Sequence, residues 1–130
     1  MFDDIMRTMD PQSFERVVAE AIDSLPQSIR RHIANVAIVV DDLPDAQTME
    51  LAGIDDPMQL LGFYHGVPLT VRTQNYSLVP PDKISLFRKS ILALCDDEAK
   101  VRETIRHTVL HELAHYFGID DDRLEELGAY

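Results

Sequence analysis

With 130 residues, 45% of them apolar, the chain has the length of one domain and enough material for one hydrophobic core. Its 23 acidic and 12 basic residues leave a formal charge of -11, which repels phosphate backbones and argues against a nucleic-acid partner. No stretch reaches the roughly 18 apolar residues that span a bilayer, and the acidic start Met1-Phe2-Asp3-Asp4 does not read as a basic leader, so no membrane partner is expected.

The one cysteine, Cys95, has no internal partner for a disulfide, which suits a reducing compartment, and the expected location is cytoplasmic. Asp10-Pro11 opens a segment in which Phe14, Val17, Val18, Ala21, Ile22 and Leu25 recur at helical spacing. This predicts an N-terminal amphipathic helix with Asp10 as cap and Pro11 in its first turn, ending near Pro26. Val36-Ala37-Ile38-Val39-Val40, rich in β-branched residues and bounded by Asn35 and Asp41-Asp42, predicts a strand. Its unbroken apolar character places it in the interior of a sheet.

Residues 41 to 59 carry Pro44, Gly53, Pro57 and many acids, and read as a loop with one helical turn around Thr48 to Leu51. Leu60-Leu61-Gly62-Phe63-Tyr64 reads as extended, His65-Gly66-Val67-Pro68 as a turn, and residues 67 to 82 as an irregular flap ending at Pro80-Pro81. Lys83 to Arg88 is a third strand, with Ile91, Leu92 and Leu94 beginning a short helix. From Asp97 onward, Val101, Ile105, Val109, Leu113 and Phe117 repeat at every fourth residue, with Leu110 and Ala114 widening the stripe. That pattern predicts a helix over 98 to 117, stopped by Gly118. The acidic tail from Asp120 has Leu124 and Leu127 to dock as a last helical turn or two.

Within the long helix stands His111-Glu112-Leu113-Ala114-His115, an H-E-x-x-H string. Four residues of helix rise about 6 Å and return to nearly the same face, so both imidazoles can reach one metal ion. Glu112, rotated about 100° from His111, lies beside that ion, placed to take a proton from water whose pKa the ion lowers towards ~7. Gly118 ends the helix and lets the chain double back, so Asp121 comes towards the metal as the third ligand, with Asp120, Asp122 and Glu125 as competitors. Two imidazoles and one carboxylate leave a fourth tetrahedral position open, as in catalytic zinc sites.

His107 shares the histidine face, but about 12 Å of rise separates it from His115, so it is expected as a residue at the mouth of the site or a solvated helix histidine rather than a ligand of the same ion. Tyr64, His65, Tyr76 and Tyr130 are candidate donors opposite the metal. Arg123 is a candidate partner for the flanking aspartates, and Cys95 reads as a small core residue.

Beyond H-E-x-x-H, the run Thr108 to Leu124, the segment Leu61-Gly62-Phe63-Tyr64-His65-Gly66-Val67-Pro68-Leu69 and the strand Asn35 to Val40 closely resemble the minimal zincins, a family of small bacterial neutral zinc metallopeptidases. The likeness spans nearly the whole chain. It implies an α+β fold: one minimal zincin-like domain over residues 1–130, with a small mixed sheet against the helix that carries the motif and a short C-terminal helical tail. An edge strand on which extended substrate could lie belongs to that picture. It also implies one zinc ion held by His111, His115 and Asp121, Glu112 as catalytic general base, and a peptide or protein substrate. Val71, where relatives often carry an acid before Arg72, and His107 depart from the pattern. No methionine follows Met58, so the methionine turn of metzincins is not expected. Two other functions compete with the peptidase: a metal-binding regulatory module with a silent site, and a metal-dependent endoribonuclease. Against the second stand Glu112, an aspartate in place of a third histidine, and the acidic charge.

Overall fold

The computed structural model describes residues 5, 9–66, 82–118 and 122. Helix α1 (Pro11–Asp23) starts where Asp10 caps it, the Asp10 carboxylate accepting from Ser13 N–H at 2.7 Å. A short helix α2 (Gln27–Arg30) and a 3-10 turn (Arg31–Ile33) lead into strand β1 (Val36–Asp41). The expected single helical turn is a two-turn helix, α3 (Ala46–Ala52), capped by Asp45 and closed by Gly53 at φ 70. A second 3-10 turn (Pro57–Gln59) precedes β2 (Gly62–His65); β3 (Asp82–Phe87) runs directly into α4 (Arg88–Leu92), and α5 (Glu98–Phe117) carries the H-E-x-x-H string.

The sheet order is β1-β3-β2, with β1 parallel and β2 antiparallel to β3, so the domain is α+β with a mixed sheet. Two expectations are corrected. Among the described residues β1 is an edge strand and β3 the central one. The apolar run of β1 reflects partial cover on both faces: Val36, Ile38 and Val40 are half-buried, and the last two share a groove with Val18 and Ile22 of α1. His65, expected in a turn, instead pairs with Lys83 as the last residue of β2. The flap and the C-terminal tail lie outside the described residues, apart from Asp82 in β3 and the exposed, helical Asp122.

One hydrophobic cluster joins α1, the sheet and α5, with Phe14, Val17, Ile84, Leu86, Val101, Ile105 and Val109 wholly buried. Cys95 belongs to it, as expected, its thiol donating to Ile91 C=O. At the surface, Arg16 and Arg102 bridge Glu20 of α1 and Glu98 of α5 at 2.8 to 3.3 Å, and the Arg106 guanidinium donates to Ser24 C=O beyond the end of α1. No helix among the described residues is long and apolar enough to cross a membrane.

Candidate metal centre

The position of α5 under β2 follows from a shared step length. Gly62 lies against Thr108, Tyr64 against Glu112 and Gly66 against Tyr116. Two strand residues advance about 6.7 Å and four helix residues about 6 Å, so strand and helix run side by side in register. The approach is close because glycine permits it. A Cβ built on Gly62 would stand 2.7 Å from the Thr108 methyl and 3.0 Å from Ser85 O, and one on Gly66 would meet the Tyr116 ring at 2.5 Å.

Between the two glycines, Tyr64 N–H donates to Glu112 Oε1 at 3.0 Å. Antiparallel strands turn alternate N–H groups outward, and among the described residues no strand pairs with that outer edge of β2. Glu112 is half-buried. Its carboxyl is pushed above the ordinary value of 4.5 chiefly by burial, while the Tyr64 N–H and the His111 and His115 imidazoles pull the other way.

Two exposed imidazoles flank it. Ligand atoms of His111, Glu112 and His115 all lie within 4.8 Å of one another, and this is the cluster of metal-binding type among the described residues. The ring centroids of His111 and His115 are 5.4 Å apart. The imidazole nitrogens of His111 and His115 are donors that zinc accepts, so the described histidines fit two positions of the ion.

His107 is exposed, stacks at 6.4 Å from His111, lies outside that cluster and lines the cleft. Asp121, the expected third ligand, lies outside the described residues, as do Asp120, Glu125, Val71, Tyr76, Arg123 and Tyr130. Of the other candidate donors, Tyr64 has its hydroxyl on Asp82 Oδ2 at 2.8 Å, so its contribution to the site is its backbone. His65 packs against Phe63 rather than lining the cleft, and burial together with Lys83 holds its imidazole below 6.5.

The cluster opens into a cleft of about 560 Å³. His107, Thr108, His111, Glu112 and His115 form its α5 side; Leu60, Leu61, Gly62 and Phe63 supply the strand; Leu51, Ala52 and Ile54, at the end of α3, supply another wall. Sequence reasoning missed that wall and the Tyr64 N–H. The alternation Gly62-x-Tyr64-x-Gly66 is the one signal that points to the close strand–helix contact.

A family model for zincin-like metallopeptidases matches residues 33–129. The chain belongs to that family. A search of curated proteins finds no match. Membership in the zincin-like metallopeptidases implies zinc, the hydrolase class and a peptide or protein substrate, in agreement with the resemblance carried by the motif.

Proposed function

We propose that this chain is a zinc-dependent peptidase in which His111, His115 and Asp121 hold the ion and Glu112 is the general base. The observation that carries the reading is the convergence of the His111, Glu112 and His115 donor atoms within 4.8 Å on the wall of a cleft beside β2. Zinc, when bound, supplies Lewis acidity that activates water and polarises a carbonyl.

The protein's own groups do the rest. Tyr64 N–H holds Glu112 Oε1 in place, which leaves Oε2 to accept the proton from the attacking water and hand it to the leaving amine nitrogen. Among the described residues no strand pairs with the outer edge of β2, which supports an extended substrate lying there, main chain to main chain. Asp121 supports a three-ligand site because Gly118 ends α5 in the left-handed region at φ 67, three residues before it.

The test is mass-spectrometric profiling of a peptide library incubated with the zinc-loaded wild type and with zinc-loaded Glu112→Gln, which keeps an oxygen for Tyr64 N–H but cannot act as base. Cleavage by the wild type, reduced about 10²-fold or more in the variant, is the expected result. Equal cleavage by both would remove Glu112 from its role, and silence from both with zinc retained would replace the peptidase with a metal-binding regulatory module. Asp121→Ala is expected to weaken zinc binding by more than the roughly 10–100-fold typical of outer-shell substitutions, read by competition with a chromogenic chelator.

A further inference from the structure

A half-buried glutamate side chain turns about several bonds, so the value of the Tyr64 N–H at Glu112 Oε1 depends on how firmly Tyr64 itself is held. Tyr64 is held by its ring. The hydroxyl donates to Asp82 Oδ2 on β3 at 2.8 Å, Phe117 meets the ring edge to face at 6.2 Å, and the Tyr116 ring lies on its face with centroids 4.0 Å apart and planes 16° from parallel. Tyr116 stands four residues after Glu112, on the same side of α5, as Thr108 stands four before it. This row of the helix faces Gly62, Tyr64 and Gly66.

The Gly66 backbone lies against the hydroxyl end of the Tyr116 ring, so the ring is set between two residues of the strand. Tyr116 keeps 45% of its surface exposed, and core packing does not account for an aromatic ring here; the stack on Tyr64, itself 7% exposed, does. Resting on the peptidase reading, we infer that Tyr116 is a positioning residue for the general base: its ring, stacked on Tyr64 and stopped by Gly66, keeps the Tyr64 N–H at Glu112 Oε1 and so aims Oε2 at the attacking water. The ring and the N–H of Tyr64 belong to one residue, and a rotation that frees the ring also moves the N–H. A misplacement of about 1 Å at a reacting group costs up to about a hundredfold in rate. Tyr116 acts through Tyr64, not on the substrate.

The experiment compares zinc-loaded wild type, Tyr116→Phe, Tyr116→Leu and Tyr116→Ala in two readouts: hydrogen exchange of the Tyr64 amide by NMR, and kcat and KM on one peptide that the wild type cleaves. Phenylalanine keeps the stack without the hydroxyl, and leucine keeps apolar bulk without the stack. Because Tyr116 is partly exposed, the variants are expected to fold and keep their zinc, which circular dichroism and metal analysis check, and the leucine variant carries the test if the alanine variant does not fold. In Tyr116→Leu and Tyr116→Ala the Tyr64 amide is expected to exchange several-fold to about tenfold faster, the weight of one aromatic pair in a local opening. In the same two variants kcat falls about tenfold or more while KM stays within about twofold, and Tyr116→Phe stays close to wild type in both readouts. Equal exchange at Tyr64 in all four proteins, a wild-type kcat in the leucine variant, or a loss carried by KM alone overturns the inference and leaves the peptidase reading standing. Absence of cleavage by the zinc-loaded wild type overturns both.

Discussion

Helix α5 has two faces built on the same four-residue interval and put to different uses. Val101, Ile105 and Val109 are fully buried and Leu113 is 2% exposed, whereas His107, His111 and His115, offset by two positions, stand at the surface. An offset of two residues is about 200° of rotation, so one helix lays its apolar side on the core and its imidazoles in the cleft. Glu112, next to Leu113, sits on the boundary, half-buried, where it meets the strand. What differs is the demand on residue type: the core face asks for volume without polarity, and the histidine face asks for specific donor atoms at one spacing. Substitutions on either face therefore have separable consequences.

The largest loss of stability belongs to the core face. Ile105→Ala, at a site with no exposure, is expected to cost about 2–5 kcal/mol in urea unfolding, while the protein that remains folded binds zinc as before. Destabilisation together with loss of zinc from the folded fraction would show that the two faces are coupled. The strand–helix contact comes next. Gly62→Ala places a methyl 2.7 Å from Thr108 Cγ2 and is expected to cost about 1–3 kcal/mol by overpacking, with a drop in turnover as β2 withdraws from Glu112. Adding Thr108→Ser removes the methyl in the way and keeps the hydroxyl bond to Thr104 C=O, so the double variant should recover part of both. No recovery would mean that the spacing is set elsewhere.

The smallest effect is at the rim of the core face, where Arg102 bridges Glu20 and Glu98. The hydrogen bonds from Arg102 and Arg16 hold Glu20 and Glu98 below the ordinary 4.5. A carboxyl with a lowered folded pKa stabilises above its unfolded value, and that contribution disappears as pH falls through the lowered one. Arg102→Ala should thus flatten the acid limb of a stability profile below about pH 4.5, leave turnover unchanged at neutral pH, and matter less in high salt.

Much of this division is legible in the sequence because its signals are local. Asp10 and Pro11 start α1, Asp97 starts α5, Gly118 stops it, and the H-E-x-x-H string carries its own geometry once the helix is granted. The strand order is not local. A strand half-covered on both faces, such as β1, which lies at the edge of the sheet among the described residues, has the same composition as a central one, and only its pairing with β3 tells them apart. The hold on Glu112 was hidden for a different reason: Tyr64 acts through a backbone N–H that every residue but proline carries, and its hydroxyl, the visible feature, is turned to Asp82. The α3 wall was hidden because an exposed leucine in a loop-like acidic segment gives no periodic signal.

The central claim, that the histidine face holds the ion independently of the core, is tested most directly by measuring zinc stoichiometry and thermal unfolding together on the wild type and on His111→Ala/His115→Ala. The expected result is one zinc per wild-type chain, about 2.7 kcal/mol of added stability when free zinc is 100 times its Kd, and a variant that binds none yet unfolds at the temperature of the zinc-free wild type. Zinc retained at equal affinity by the double variant, or a variant that fails to fold without metal, would contradict it.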